Sequence, residues 1–400
     1  MSNRNRSRAS VHLGLNLWVA FGVLALIVCI GLGLVLLAGT NLRGGAPPET
    51  GQDTHPWPPG EVPRELPRAS VGIGSWYAVF FTKPVYPERK PDRVGGVDAA
   101  LIADIERARK SVDVASFDLR LPSVTEALVR AKARGVTVRV VTDADANDGS
   151  PDFQETIEQL QGAGIPLVLD TRGAYMHNKF VIVDDELVWT GSMNLTPNDV
   201  YRNDNNMLRF AVPALTENYQ TRFERIFARG DAAAPPQDTP HPQITLANGI
   251  RIENYFSPHG GAAQAILARL HRAQKSIRVL AFSFTATEQS DMLIRKAQAG
   301  LKVQGVFEAR NLGGAGADYE TLKRAGLDIL PDGNCYIMHN KVYIIDGRTV
   351  ITGSYNFTAN AERTNDENLL IIDDPTLAEY YVSTFDSIYE RARHPTSCGD

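Results

Sequence analysis

The sequence predicts an α/β fold made of two homologous lobes, preceded by a transmembrane helix. Three observations lead there. A long motif occurs twice without a gap, helices and strands alternate in the same order around both copies, and one uncharged apolar run lies near the N-terminus.

The run covers residues 17–38 and follows Arg4, Arg6 and Arg8. As a helix it is roughly 33 Å long, enough for a bilayer core. Cleaved leaders have shorter apolar cores, about 7–15 residues, and no A-x-A site follows this one, so the reading is an uncleaved anchor. Three arginines before the span against Arg43 alone just after it predict a cytoplasmic tail at 1–16 and a catalytic part outside the cytoplasm. Residues 39–70, rich in Pro and Gly, read as an extended spacer.

The first half is assigned to 71–230, a linker to 231–245 and the second half to 246–395. WYAVFFTKP (76–84) reads as a strand with IRIENYFSP (250–258) as its counterpart. Leu101, Ile102, Ile105 and Ala108 share one helix face, as do Ile266, Leu267, Leu270 and Ala273 in the second half. Strands at 136–143 and 301–308 follow. Each half then carries a loop rich in Asp, Gly and Asn (144–152 and 309–317), a helix ending in Ala-Gly, and the repeated motif.

Composition narrows the function only a little. The formal charge of −5 over 400 residues shows no basic excess of the kind polyanion binders carry. Cys29 falls in the apolar run. Cys335 and Cys398 could pair outside the cytoplasm, but spacing alone leaves that open. No Cys/His cluster has zinc spacing, so no metal site is read.

The motif runs from Met176 to Thr196 and from Met338 to Thr358: His-x-Lys, four residues, Asp, six residues, Gly-Ser-x-Asn. Each copy predicts a β-hairpin, with Asp346-Gly347 a strong turn signal and Asp184-Asp185 a weaker one. Alternation along a strand turns His177 and Lys179 the same way, and His339 and Lys341 likewise. Ser192 and Asn194, or Ser354 and Asn356, end the return strand beside them. An imidazole, an ammonium, a hydroxyl and an amide suit a phosphate: a nucleophile for phosphorus, a cation and donors for its oxygens. Asp184 and Asp346, of opposite parity and next to the turn, read as structural support.

In duplicate, this pattern resembles the phospholipase D superfamily over roughly residues 76–373. The resemblance implies two sheets side by side about a pseudo-two-fold, with one active site at the seam. It implies metal-free phosphodiester chemistry without a cofactor. One histidine attacks phosphorus, the other gives a proton to the leaving alcohol, and Lys179, Lys341, Asn194 and Asn356 hold the oxygens, with Ser192 and Ser354 beside them. It further implies that a residue near 205 and 367 in each half orients the other half's histidine. Here the copies differ, with Asn205 facing Glu367 in the alignment. On that reading Glu367 supports His177 as nucleophile and Asn205 leaves His339 the readier acid.

The expected substrate is a membrane phospholipid, hydrolysed or transphosphatidylated by an anchored monomer. The alternatives are an anchored DNA or RNA nuclease, a cardiolipin synthase-like transferase, and a non-catalytic phosphate-binding scaffold.

Overall fold

The computed structural model describes residues 63–147, 149–229, 239–395 and 397–398. The expected span at 17–38, its tail and most of the spacer lie outside the described residues. No helix among the described residues is long and apolar enough to cross a membrane.

The first lobe comprises β1 (Ala69–Ile73), β2 (Tyr77–Thr82), α1 (Val97–Arg107), β3 (Ser111–Ser116), α2 (Pro122–Ala133), β4 (Thr137–Asp143) and α3 (Pro151–Gly162). It continues with β5 (Leu167–Asp170), β6 (Lys179–Val183), β7 (Leu187–Gly191), α4 (Pro197–Tyr201), β8 (Asn206–Phe210) and α5 (Pro213–Arg229). The second lobe repeats the order with β9 (Gln243–Thr245), β10 (Arg251–Ser257), α6 (Ala262–Arg272), β11 (Ser276–Ala281), α7 (Thr287–Gln298), β12 (Lys302–Phe307) and α8 (Tyr319–Arg324). It closes with β13 (Asp328–Pro331), β14 (Lys341–Ile345), β15 (Thr349–Gly353), α9 (Ala359–Arg363), β16 (Glu367–Asp373) and α10 (Pro375–Arg393).

Each lobe is one eight-stranded sheet. The first is ordered β1-β2-β8-β7-β6-β3-β4-β5, and the second has the same order with β9 in the place of β1. Strands β3, β4 and β5 run parallel, whereas the hairpin β6–β7 and its neighbours β3 and β8 pair antiparallel. The expected boundaries need two corrections. β1 begins inside the segment read as spacer, and β9 inside the segment read as linker. Both are edge strands, paired on one side only, so burial demands little of them: in β9 only Ile244 is buried.

The hairpin strands are the opposite case. Every residue of Lys179–Val183 and Lys341–Ile345 is buried, which explains their unbroken apolar runs. The core falls into three clusters. A central one draws Phe180, Tyr219, Phe256, Val342 and Tyr381 from both sheets and from α5 and α10. The other two lie under the remaining helices of each lobe, around Leu101, Leu128 and Trp189 in the first and Ile266, Leu293 and Ile351 in the second. Each such side chain removed from water contributes about 1.5–3 kcal/mol.

The motif's Asp and Gly have structural work. Asp184 and Asp346 sit at the hairpin tips with φ of 57° and 56°, a left-handed conformation that Asp tolerates better than most side chains. The Asp184 carboxylate accepts the backbone N–H groups of Arg109, Lys110 and Ser111, and Asp346 those of Gln274, Lys275 and Ser276. Each tip is thereby tied to the turn between the first helix of its lobe and the next strand. A Cβ on Gly191 would lie 2.3 Å from the Asn206 carbonyl oxygen, and one on Gly353 2.3 Å from that of Asn368. Only glycine lets the end of the hairpin approach β8 or β16 so closely.

Burial pushes the Asp346 carboxyl up, but the backbone N–H groups outweigh it and hold the carboxyl below its ordinary value. A depressed folded-state pKa gives stability that is present above the unfolded value, about 3.9, and is lost as pH falls through the folded one. Asp346→Ala, which removes the acceptor of three backbone N–H groups at a partly exposed, solvent-screened turn, is expected to lower unfolding stability by about 1 kcal/mol at pH 7. Denaturant melts should show the difference from wild type shrinking below about pH 4.

Candidate active site

Backbone hydrogen bonds across the seam place the site. The Asp204 N–H donates to the Ile337 carbonyl at 2.8 Å and the His339 N–H to the Asp204 carbonyl at 2.9 Å; in the mirror position the Asp366 N–H donates to the Tyr175 carbonyl at 2.8 Å. The residue before Asn205 or Glu367 is thus stitched to the segment carrying the other lobe's histidine. Beneath these bridges lies a buried amide network. Asn206 Nδ2 donates to Asn340 Oδ1 at 2.7 Å, and Asn368 Nδ2 to Asn178 Oδ1 at 3.1 Å. Asn206 Oδ1 accepts from Thr352 and Tyr381, and Asn368 Oδ1 from Thr190 and Tyr219. These asparagines escaped the sequence reading. Their signal was there: the x of His-x-Lys is Asn in both copies, and Asn follows both 205 and 367.

The histidines are held across the seam. His177 Nδ1 lies 2.7 Å from Glu367 Oε2, and His339 Nδ1 lies 3.0 Å from Asn205 Oδ1. The serines differ from expectation. Ser354 Oγ donates to Glu367 Oε2 at 2.6 Å and Ser192 Oγ to Asn205 Oδ1 at 2.7 Å, while the N–H groups of Asn368 and Asn206 donate to the same hydroxyls. Both serines are fully buried. Ser192 and Ser354 therefore clamp the histidine-orienting residues instead of reaching a phosphate, because the glycine before each lets the chain dip against the neighbouring strand.

A second correction concerns His339. Asp199, at the third position of α4, places Oδ1 3.2 Å from His339 Nδ1. Asn205 Nδ2 donates to the same carboxylate at 2.9 Å. His339 thus has a carboxylate beside it, and the expected contrast of amide against carboxylate support does not hold. Asn194 is also drawn in: its Nδ2 donates to Asp199 Oδ2 at 3.2 Å. Asn356 instead lines the open cavity.

Lys179 Nζ donates to the His177 carbonyl at 2.8 Å and lies over the Phe117 ring; Lys341 Nζ donates to the His339 carbonyl at 2.7 Å and lies over Phe282. The same two rings meet His177 and His339 edge-on. Above the seam opens a cavity of about 610 Å³ whose lining includes Phe117, Tyr175, His177, Phe282, Asn311 and Asn356. The 309–317 loop forms one rim of it, and among the described residues no Lys, Arg, Asp or Glu belongs to the lining.

Burial dominates the electrostatics. It lowers the His177 imidazole well below its ordinary value, helped by Lys179 and Lys341. His339 falls to about 3 through burial and Lys341, against the pull of Asp199. Burial brings Lys179 down to about 8, and Lys341 well below its usual range, with Lys179 adding to the effect. Glu367 is pushed up to about 8 by burial, with the lysines opposing. Asp199 goes the other way: burial raises it, but hydrogen bonds from His339, Asn205 and Thr196 hold it below the usual carboxylate range. Burial disfavours the charge on Lys179 and Lys341, and a bound anion beside them would offset that cost.

The family model described as "Cardiolipin synthase, PLD-like domain" matches residues 101–227 and 266–389, once in each lobe. The chain belongs to the phospholipase D superfamily. A phospholipase D of Rickettsia conorii is 32% identical over 163 residues, 41% of this chain and 82% of that protein. The mitochondrial cardiolipin hydrolase of Xenopus tropicalis is 35% identical over 128 residues, 32% of this chain and 60% of that one. The phosphatidylserine synthase of Haemophilus influenzae shares the fold, with a TM-score of 0.57 at 15% identity over 74% of this chain and 84% of that one.

This chain carries both halves of the seam in one polypeptide. A phosphodiester monoanion entering the cavity should raise the proton affinity of the buried bases. Calorimetry with dimethyl phosphate in buffers of different ionisation enthalpy should show proton uptake at pH 8. Affinity should decline as pH rises through about 8, the value to which burial brings Lys179. Heats independent of the buffer would contradict this account.

Proposed function

We propose that the protein is a membrane-anchored phosphodiesterase that cleaves phospholipid headgroups without metal, through a phosphohistidine. The observation that carries the proposal is the crossed pairing, in which each lobe's histidine is oriented at Nδ1 by the other lobe. Occupying Nδ1 leaves Nε2 of both rings for chemistry on a single phosphate.

In the proposed sequence His177 Nε2 attacks phosphorus, and the bond from phosphorus to the leaving oxygen breaks. His339, charged once the anion has bound, protonates that oxygen. His339 then takes a proton from water as the water oxygen bonds phosphorus and the phosphorus–nitrogen bond breaks, which returns both imidazoles to their starting state. Transfer to another alcohol follows the same path. His177 is assigned as the nucleophile because it lines the cavity and its Nδ1 has the tighter contact, with the fully buried Glu367. Lys179, Lys341 and Asn356 are assigned to the non-bridging oxygens.

A lipid fits the cavity better than a nucleic acid. A polynucleotide brings a row of charges that proteins match with Lys and Arg, and beyond the two site lysines the described lining is aromatic, amide and small apolar. The names of the Rickettsia and Xenopus relatives point the same way. A nuclease remains the second reading, favoured by Phe117, Tyr175 and Phe282, which could stack on bases. The Cys335–Cys398 disulfide supports a catalytic part outside the cytoplasm.

Headgroup release from liposomes and nicking of plasmid, each with and without EDTA, should show EDTA-resistant release and little nicking. His177→Ala and His339→Ala are each expected to reduce release by about 10²–10⁴-fold or more. A radiolabelled phosphoenzyme should form in His339→Ala and not in His177→Ala, and the reverse pattern would exchange the two roles.

A further inference from the structure

The two halves orient their histidines with different parts. In the second half one side chain suffices: Glu367, at the start of β16, reaches His177 directly. The matching position of the first half is Asn205, one methylene shorter and uncharged. A carboxylate appears nearby, six residues earlier on α4, at Asp199. The position matching Asp199 in the second half is Ala361, fully buried and without a polar side chain. Each half therefore offers one carboxylate to the other half's histidine, on the strand in one case and on the helix in the other.

The surroundings of Asp199 are built to hold that charge. Asp199 as a residue is 5% exposed. Oδ1 accepts from Asn205 Nδ2 at 2.9 Å and Asn203 Nδ2 at 3.3 Å and faces His339 Nδ1 at 3.2 Å. Oδ2 accepts from Thr196 Oγ1 at 2.8 Å and Asn194 Nδ2 at 3.2 Å. In α9, the N–H of Ala361 still donates to Thr358 Oγ1, as that of Asp199 does to Thr196 Oγ1, so the turn forms without the carboxylate. The turn alone does not require an acid at 199.

We infer that Asp199 is the positioning residue of His339, a carboxylate on the helix where the second half has one on the strand, with Asn205 bonded to both the carboxylate and the ring. The inference rests on the phosphodiesterase reading for its activity arm only. A carboxylate beside Nδ1 fixes the tautomer with Nε2 toward substrate and stabilises the imidazolium when it forms; the corresponding partners of metal-bound histidines are typically worth about 10–100-fold, and a loss on that scale is expected here.

The test moves the carboxylate back. Asp199→Asn keeps the shape and most of the hydrogen bonds, Asp199→Ala removes both, and Asp199→Ala/Asn205→Glu reproduces the arrangement of the second half. With liposomes as substrate, Asp199→Asn and Asp199→Ala should lose about 10–100-fold in turnover, and the double variant should regain most of it. The double variant does not restore the bonds from Thr196 and Asn194, so recovery tracks the charge and not the scaffold. Nitrogen-15 and proton spectra of the histidines give a readout that needs no turnover. The downfield Nδ1 proton of His339, assigned by its loss in His339→Gln, should move upfield in both single variants and return in the double. Single variants with wild-type turnover and an unmoved proton, or a double variant no better than Asp199→Ala by either readout, would overturn the inference. Spectra that behave as expected beside a wild type inactive on lipid and plasmid would instead count against the phosphodiesterase reading alone.

Discussion

Everything in the site depends on a reciprocal constraint at the seam: neither lobe can orient its own histidine. Glu367, at the head of the last strand of the second lobe, fixes His177, and Asn205, just before the last strand of the first, fixes His339 together with Asp199 of α4. Residues 366 and 204, just before them, are hydrogen-bonded to the backbone beside the ring each one meets. The buried asparagine pairs under these bridges make the register strict. A buried amide that loses its partner costs about 1–3 kcal/mol, and four interlocked amides would lose theirs together if the sheets slid by one residue. Apolar packing between the lobes supplies affinity, and the amides supply alignment.

The same burial that makes the seam rigid makes its charges labile. Lysines and histidines taken out of water hold their protons weakly, and a carboxyl such as Glu367 holds its proton more firmly. A bound anion would offset the cost of burying those cations. The phenylalanines under the ammonium groups continue this logic, because a ring face tolerates a cation without adding a competing anion.

Much of this was legible in the sequence. Two gapless copies of one motif located both hairpins, and the parity of His177, Lys179 and Asp184 set the aspartate apart, at the turn. The helix faces at Leu101 and Ile266 followed from spacing. What was missed shares one cause: partnership through space leaves no trace in linear spacing. Ser192 and Ser354 looked free to meet substrate, and only the close approach licensed by Gly191 and Gly353 turns their hydroxyls inward. Asp199 was invisible because comparing the copies position by position shows an acid lost at 205, while its replacement stands on another element opposite an alanine. The edge strands β1 and β9 were hidden among prolines because a strand paired on one side needs little apolar sequence.

Joining both lobes in one polypeptide has a further effect. A catalytic centre assembled from two copies of a single half must present the same residue on either side, so any change made for one ring is imposed on the other. Tandem duplication lifts that restriction. The unlike acids at 199 and 367 show the freedom in use: each flank of the pocket can drift separately, and one enzyme can come to hold a dedicated attacking ring and a dedicated proton carrier.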